Sequence, residues 1–505
     1  MPQSYWRSFL LLILTAAAAP VLASDVPRFA EVIVDAGYNV VGRPLVARLD
    51  DSDDIHLIVI GEDDEFERRI LVFAVSNADA PSTRLVADLQ PDRSQLAFDI
   101  GNIDGQDMLM LLRPGEILRY DLDTQSLEKW RDGESYFRQE RDGAISKLDF
   151  LEDVNDDGRD DILLPDFDGY RVRLQQADGS FGEESVLNKS VQMSLSGRDV
   201  QFSARSLYSG DMNFDGLTDL FYWSGDDIGF YAQKAGLQFA VEPVEGPSGL
   251  GVLSQEEIQR LEDNRGSIDQ EGLTERDIES IVDLNGDDIP DIIAEAAYSE
   301  GLFDRSNEFS LHLGRAGGDQ VEFLPEEDAS IASEGLQFDL IETDINGDGK
   351  QDLVVRKAKL SFGRVIRALI AGSLSVEIHF HKMTEDDRYE DEANFVAKTK
   401  VRFSRSSGQV DIPALEVADF DGDGLQDLVV QTESDRLSYY RGESTNRLFA
   451  KKPSEFEVVL PRNGELVDTE DINGDGRADM LLRYDESDAD GLEKTVRLLL
   501  SVPAE

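Results

Sequence analysis

The sequence predicts an all-β chain closed into a single β-propeller. Three observations lead there. Short β-type apolar runs recur from end to end, with turn residues between them. A nine-residue aspartate pattern repeats along the chain. The spacing of that pattern leaves room for about four strands per unit, the arrangement of propeller blades.

The pattern reads DVNDDGRDD at 153–161, DMNFDGLTD at 211–219, DLNGDDIPD at 283–291, DINGDGKQD at 344–352, DFDGDGLQD at 419–427 and DINGDGRAD at 471–479. Each copy has Asp at position 1, Asn or Asp at 3, Asp at 5 and Asp at 9. The repeated set is Asp153, Asn155, Asp157 and Asp161; Asp211, Asn213, Asp215 and Asp219; Asp283, Asn285, Asp287 and Asp291; Asp344, Asn346, Asp348 and Asp352; Asp419, Asp421, Asp423 and Asp427; and Asp471, Asn473, Asp475 and Asp479. Position 6 is glycine in every copy but the third, where Asp288 stands.

Oxygen donors at 1, 3, 5 and 9 around a tight turn suit calcium, which takes 6–8 oxygens in a flexible shell. Glycine at 6 lets the backbone turn so that the carbonyl of position 7 can face the ion. The expectation is about six calcium ions. Magnesium demands a stricter octahedron, and zinc or copper would want the thiolates and imidazoles that a chain with four histidines and no cysteine scarcely offers. An EF-hand is excluded because its position 12 needs a bidentate Glu, and here that position holds Leu164, Tyr222, Ala294, Val355, Val430 and Leu482. Strand-like runs flank each loop instead of helices.

Two further units carry decayed loops. At 47–60, Arg48 and His56 occupy positions 1 and 9; at 98–111, Asp99 and Asp107 keep those positions while Gly101 and Ile103 replace two ligands. Neither is expected to hold calcium. The eight starts then fall at 48, 99, 153, 211, 283, 344, 419 and 471, giving eight blades, or seven if the first decayed unit is not a blade. Two intervals are long and are read as containing insertions, at about 243–280 and 356–413. The first includes SQEEIQRLED at 254–263, with a capping-box spacing from Ser254 to Glu257. The second carries Lys357, Lys359, Arg364 and Arg367, then SVEIHFHK, then the acidic TEDDRYEDE. His379 and His381 alternate along its strand but lack further ligands to complete a metal site.

These loops resemble those of FG-GAP/VCBS-type repeats, the calcium-loop propellers related to integrin α subunits and found in bacterial exported proteins. The resemblance implies that each loop joins the first two strands of a blade. The FG and GAP tripeptides do not recur as a pair, so integrin-like ligand specificity is not implied.

The 104 acidic against 49 basic side chains give a formal charge of −55, which repels nucleic acid and anionic lipid. Residues 1–23 read as a signal peptide: Arg7, an apolar run from Phe9 into Ala16–Ala19, and Val21-Leu22-Ala23 before the cleavage point. A periplasmic or secreted monomer follows, with no membrane insertion once the signal is removed, and with metal in place of disulfides as the staple. The function expected is a scaffold that binds a protein or glycan. The alternative is a carbohydrate-active enzyme such as a polysaccharide lyase, since some of those resemble this calcium-loop propeller. No nucleophile elbow, phosphate-cradling glycine loop or zinc-hydrolase helix is present.

A last expectation concerns ring closure. Only two strands follow the final loop, so the last blade lacks its outermost strand, and FAEVIV at 29–34 is the spare that can supply it.

Overall fold

The computed structural model describes residues 27–503 except 64–66, 77–80, 139–144, 190–191, 197–198, 225–226, 252–272, 300–304, 333–335, 359–369, Asp391 and 404–408. Residues 1–23, read above as a signal peptide, and the capping-box stretch 254–263 lie outside the described residues.

The strands assemble into eight blades. The third blade shows the common plan: Leu151–Glu152, Asp161–Asp166, Gly169–Arg173 and Ser185–Leu187 pair antiparallel in sequence order. The fourth (from Tyr208–Gly210), fifth (from Leu273–Val282), sixth (from Leu336–Thr343) and seventh (from Leu415–Ala418) repeat it. Among its described residues, the stretch 356–413 contributes blade strands. It supplies most of the sixth sheet, in which Asp352–Ala358, Ser373–His381 and Phe395–Phe403 run side by side. Likewise, Val244–Pro247 closes the fourth blade and Leu273–Val282 opens the fifth.

Ring closure follows the sequence reading. Arg28–Asp35 pairs antiparallel with Thr495–Val502 over eight residues, making the outer strand of the last blade beside Asp479–Arg483 and Val467–Glu470. Ala36 continues the pairing by donating its N–H to Lys494 O at 2.9 Å.

The core explains why the second strands read as nearly continuous apolar runs. Alternate side chains of a strand leave on opposite faces, and each face of a blade meets a neighbouring blade. Ile58 and Ile60 enter a cluster with Phe98, Leu109 and Leu111 of the second blade. Leu57 and Val59, one residue out of step, enter another with Leu481, Val496 and Leu498 of the eighth. Eight such clusters are found among the described residues, one at each seam between adjacent blades. The ring is therefore a closed series of face-to-face sheets.

First strands of neighbouring blades approach each other around the axis, and they carry acids. Glu416 lies beside Asp468 and accepts a hydrogen bond from Thr469 Oγ1 at 3.2 Å. Burial, outweighing that bond and aided by Asp468, pushes its carboxyl up to about 8. A carboxyl raised above its unfolded value of about 4.3 keeps its proton in the fold and loses it on unfolding. Stability therefore falls as pH rises from about 4 to 8. Glu416→Gln is expected to add several kcal/mol at pH 8, up to about 5, and nothing at pH 4, read from urea unfolding across that range. A stability gain independent of pH would contradict this assignment.

Candidate metal loops and their supporting cations

All six complete loops link the first and second strands of a blade, and their wiring is the same. The position-1 carboxylate receives the N–H of positions 5 and 6: Asp419, for example, takes Asp423 N at 3.2 Å and Gly424 N at 2.7 Å. The equivalent pairs form at Asp153, Asp211, Asp283, Asp344 and Asp471. Position 5 accepts from the N–H of position 7 at 3.0–3.2 Å in every copy.

Such a turn needs left-handed backbone twice, at positions 4 and 6. At position 6, φ is +79 to +85° for the glycines Gly158, Gly216, Gly349, Gly424 and Gly476, and Asp288 adopts +62°. Aspartate tolerates this region better than most residues, which accounts for the one exception in the repeat. Position 4 is left-handed too, with Asp156 at +57° and Phe214 at +59° beside four glycines. The sequence reading did not identify that second requirement, although Gly286, Gly347, Gly422 and Gly474 marked it.

Position 9 begins the second strand and is 0% exposed in all six blades. One oxygen accepts the N–H of position 2, as Asp161 does from Val154 at 3.2 Å. The other accepts from a residue just beyond the third strand, Gln175, Gln233, Gly314, Met383 or Gly442, or in the eighth blade from Ser501 near that strand's end, at 2.6–2.9 Å. Burial pushes these carboxyls up, to about 7 at Asp161, Asp291, Asp427 and Asp479 and to about 6 at Asp219 and Asp352. None forms an ion pair with a basic side chain among the described residues.

The donor set fits a calcium ion on two further observations. Asn155 Oδ1, a position-3 oxygen, is buried with no hydrogen-bond partner. Asp419, Asp421 and Asp423 each place one carboxylate oxygen within 4.8 Å of the others. Basic side chains compete for the same oxygens in four loops. Arg159 bonds Asp157, Arg477 bonds Asp475, Lys382 bonds Asn346 and Asp348, and Arg441 spans Asp421 and Asp423 at 2.7 Å each. The sequence reading missed these partners. Arg159 and Arg477 stand at position 7 of their own loops, a readable signal, whereas Lys382 and Arg441 arrive from the third strand. The loops at 211 and 283 have no such cation among the described residues.

The decayed loops differ from each other. In the first, Leu49 N donates to His56 Nδ1 at 3.2 Å, so the imidazole does the work of the position-9 carboxylate. Arg48 reaches Asn473 O in the neighbouring loop at 3.5 Å. In the second the loop is gone. Ala97–Ile103 and Gln106–Arg113 form a tight hairpin through Asp104 and Gly105, both left-handed, as a two-residue hairpin turn requires. Asp99 there accepts Phe150 N and Leu151 N of the next blade. His379 and His381 do lie on one side of their strand, rings 6.1 Å apart, with His381 buried and its Nδ1 against Glu390 O.

Neighbouring loops are stitched together. Gln351 N donates to Leu284 O, Gln426 N to Ile345 O and Ala478 N to Asp419 O, at 2.7–3.0 Å. The approach is close enough that a Cβ on Gly286 would stand 2.5 Å from Gly349 O.

Residues 419–482 match the FG-GAP-like repeat family. The chain is thus an eight-bladed β-propeller carrying an FG-GAP-like repeat in its seventh and eighth blades. No curated protein sequence matches it. Among solved structures, the WD40 domain of SCAP from fission yeast is similar, at 10% identity and a TM-score of 0.35, over 94% of this chain and 98% of that one. The V. cholerae biofilm matrix protein Bap1 is 11% identical with a TM-score of 0.26, over 91% and 77% of the two chains. A protein from Lactobacillus plantarum is 10% identical with a TM-score of 0.31, over 86% and 97%.

Proposed function

We propose that this protein is a calcium-stabilised, exported propeller that acts as a scaffold for a protein or glycan partner. The observation that carries the metal part is the repeated loop with its orphaned acceptor at Asn155 Oδ1. A buried polar atom without a partner is costly, and a cation at the centre of positions 1, 3 and 5 supplies one. The same ion would stabilise the desolvated carboxylate at position 9, because buried charges are paired or coordinate metals. Six divalent ions would bring the formal charge from −55 to about −43. Export rests on the charged-apolar-small pattern of residues 1–23 and on a fold without cysteine. The scaffold role rests on a closed ring whose loops and connections remain free to vary while the seams hold.

Calcium counting on the purified protein tests the metal part. Asp423→Ala, which removes a ligand from the four-acid loop, is expected to lower the stoichiometry by one ion. Asp104→Asn, in the hairpin turn of the second blade, should leave it unchanged and keep the left-handed turn. Equal losses from both would refute the division into six metal loops and two decayed ones. Retention of an envelope protein or polysaccharide on the immobilised chain in calcium, and its release on chelation, tests the scaffold part.

A further inference from the structure

On the face opposite the aspartate loops, a cavity of about 340 Å³ opens between the sixth, seventh and eighth blades. It is bounded by the strands Phe395–Phe403 and Val410–Asp411, by the connections into the seventh and eighth blades, and by the stretch that precedes Thr495–Val502. Three cations line it: Lys400, Arg402 and Arg462. In a chain with 104 acids for 49 bases, most basic side chains at the surface rest on carboxylates, as Arg171, Arg436 and Arg441 do. These three do not. Among the described residues none of them lies within ion-pair distance of a carboxylate. Arg402 donates to Thr432 O at 3.0 Å and Arg462 to Gln409 Oε1 at 2.8 Å, both neutral acceptors. The acids at the rim make no ion pair with them, although Asp488 feels the charge of Arg462. Asp488 spends its two oxygens on Arg462 N and Asp485 N, at 2.8 and 3.0 Å. Asp411 sits opposite Arg402 in the strand register without bonding it.

We propose that this cavity binds a carboxylated sugar, a uronate unit of an acidic polysaccharide. Arginine forks and a free ammonium are the groups that hold carboxylates. Asp411 and Ser434 offer partners for hydroxyls, and Pro413, Leu460 and Pro461 offer an apolar wall for the C–H face of a ring. The volume lies near the small end of ligand pockets, roughly 300–1,000 Å³, which suits one ring better than a peptide segment. The assignment deepens the glycan branch of the scaffold reading and is independent of the metal loops, which lie at the other end of the blades.

The test is titration of the full-length protein, in calcium, with sodium glucuronate, glucose and sodium acetate. Glucuronate is expected to bind at least tenfold more tightly than either glucose or acetate. Arg402→Gln and Lys400→Gln should each weaken it at least tenfold with no change in melting temperature. Lys400 is exposed, so its replacement reads binding even if Arg402→Gln disturbs the fold. Glucuronate binding no tighter than glucose, or affinity unchanged in Lys400→Gln and Arg402→Gln, would overturn the site. Acidic polysaccharide captured equally well by both variants would also remove this pocket while leaving the scaffold reading intact.

Discussion

Chelation of calcium is expected to lower the melting temperature by on the order of 10 °C, and calcium should restore it where magnesium does not. With a dissociation constant of roughly 0.1 mM and 1 mM free ion, one site contributes about 1.4 kcal/mol. Six sites together approach about 8 kcal/mol, the size of a whole domain's net stability. In a chain of 505 residues the entropy of unfolding is large, so each kcal/mol moves the transition by only about a degree. The loops at 211 and 283 should fill first, because no lysine or arginine among the described residues sits on their carboxylates. Arg441→Gln should then tighten the site at 419 by freeing Asp421 and Asp423. Calorimetry in chelator, in calcium and in magnesium decides the matter: identical melting in all three would remove the metal from the account of stability.

Removing residues 24–36 is expected to do more damage than any single loop substitution. It strips the outer strand from the last blade and leaves Thr495–Val502 as an open edge, a template for pairing with other chains. It also removes Val32 and Val34, buried in the seam with Leu57, Val59 and Leu498. The shortened protein should melt more than 10 °C lower and elute as oligomers. Val34→Asp isolates the packing part. The side chain is 0% exposed, and an unpaired buried carboxylate costs several kcal/mol, so this variant should unfold early without a missing strand. A monomeric deletion variant with unaltered melting would show that the pairing of the termini contributes nothing.

Much of this architecture was legible because the repeat couples chemistry to position. The closing aspartate of each loop is also the first residue of a buried strand, so one motif located both the loop and the strand after it. The strand ILL after Asp161 and the strand LVV after Asp427 followed directly. The pairing of the termini was legible from a count of strands in the last blade. The second decayed unit was not: once Gly101 and Ile103 replaced the ligands, alternation won, and the loop became a hairpin with Asp99 turned to the next blade. The stretch 356–413 misled for a related reason. The third strand of its blade has nine residues where those of the third, fourth and seventh blades have five, and length alone looked like an insertion. Lys382 and Arg441 were beyond the sequence because only strand pairing within a blade brings the end of the third strand back to the loop, and the bases of the cavity because only the stacking of blades gathers Lys400, Arg402 and Arg462.

The joining of the two ends in one blade has a bearing on how the molecule is made. Glu31 and Arg497 meet although 466 residues separate them. Loop-closure entropy over such a span is repaid only when everything between is in order, and such non-local topologies fold slowly. The first strand leaves the ribosome long before its partner exists. For nearly the whole of synthesis it must stay solvated and unpaired, and its charges suit that wait: Arg28, Glu31 and Asp35 are spread through an otherwise apolar run. Seven blades can stack as they emerge, each on the one before. The eighth cannot be completed until Thr495–Val502 is made, so the finishing step is the pairing of that strand with Arg28–Asp35.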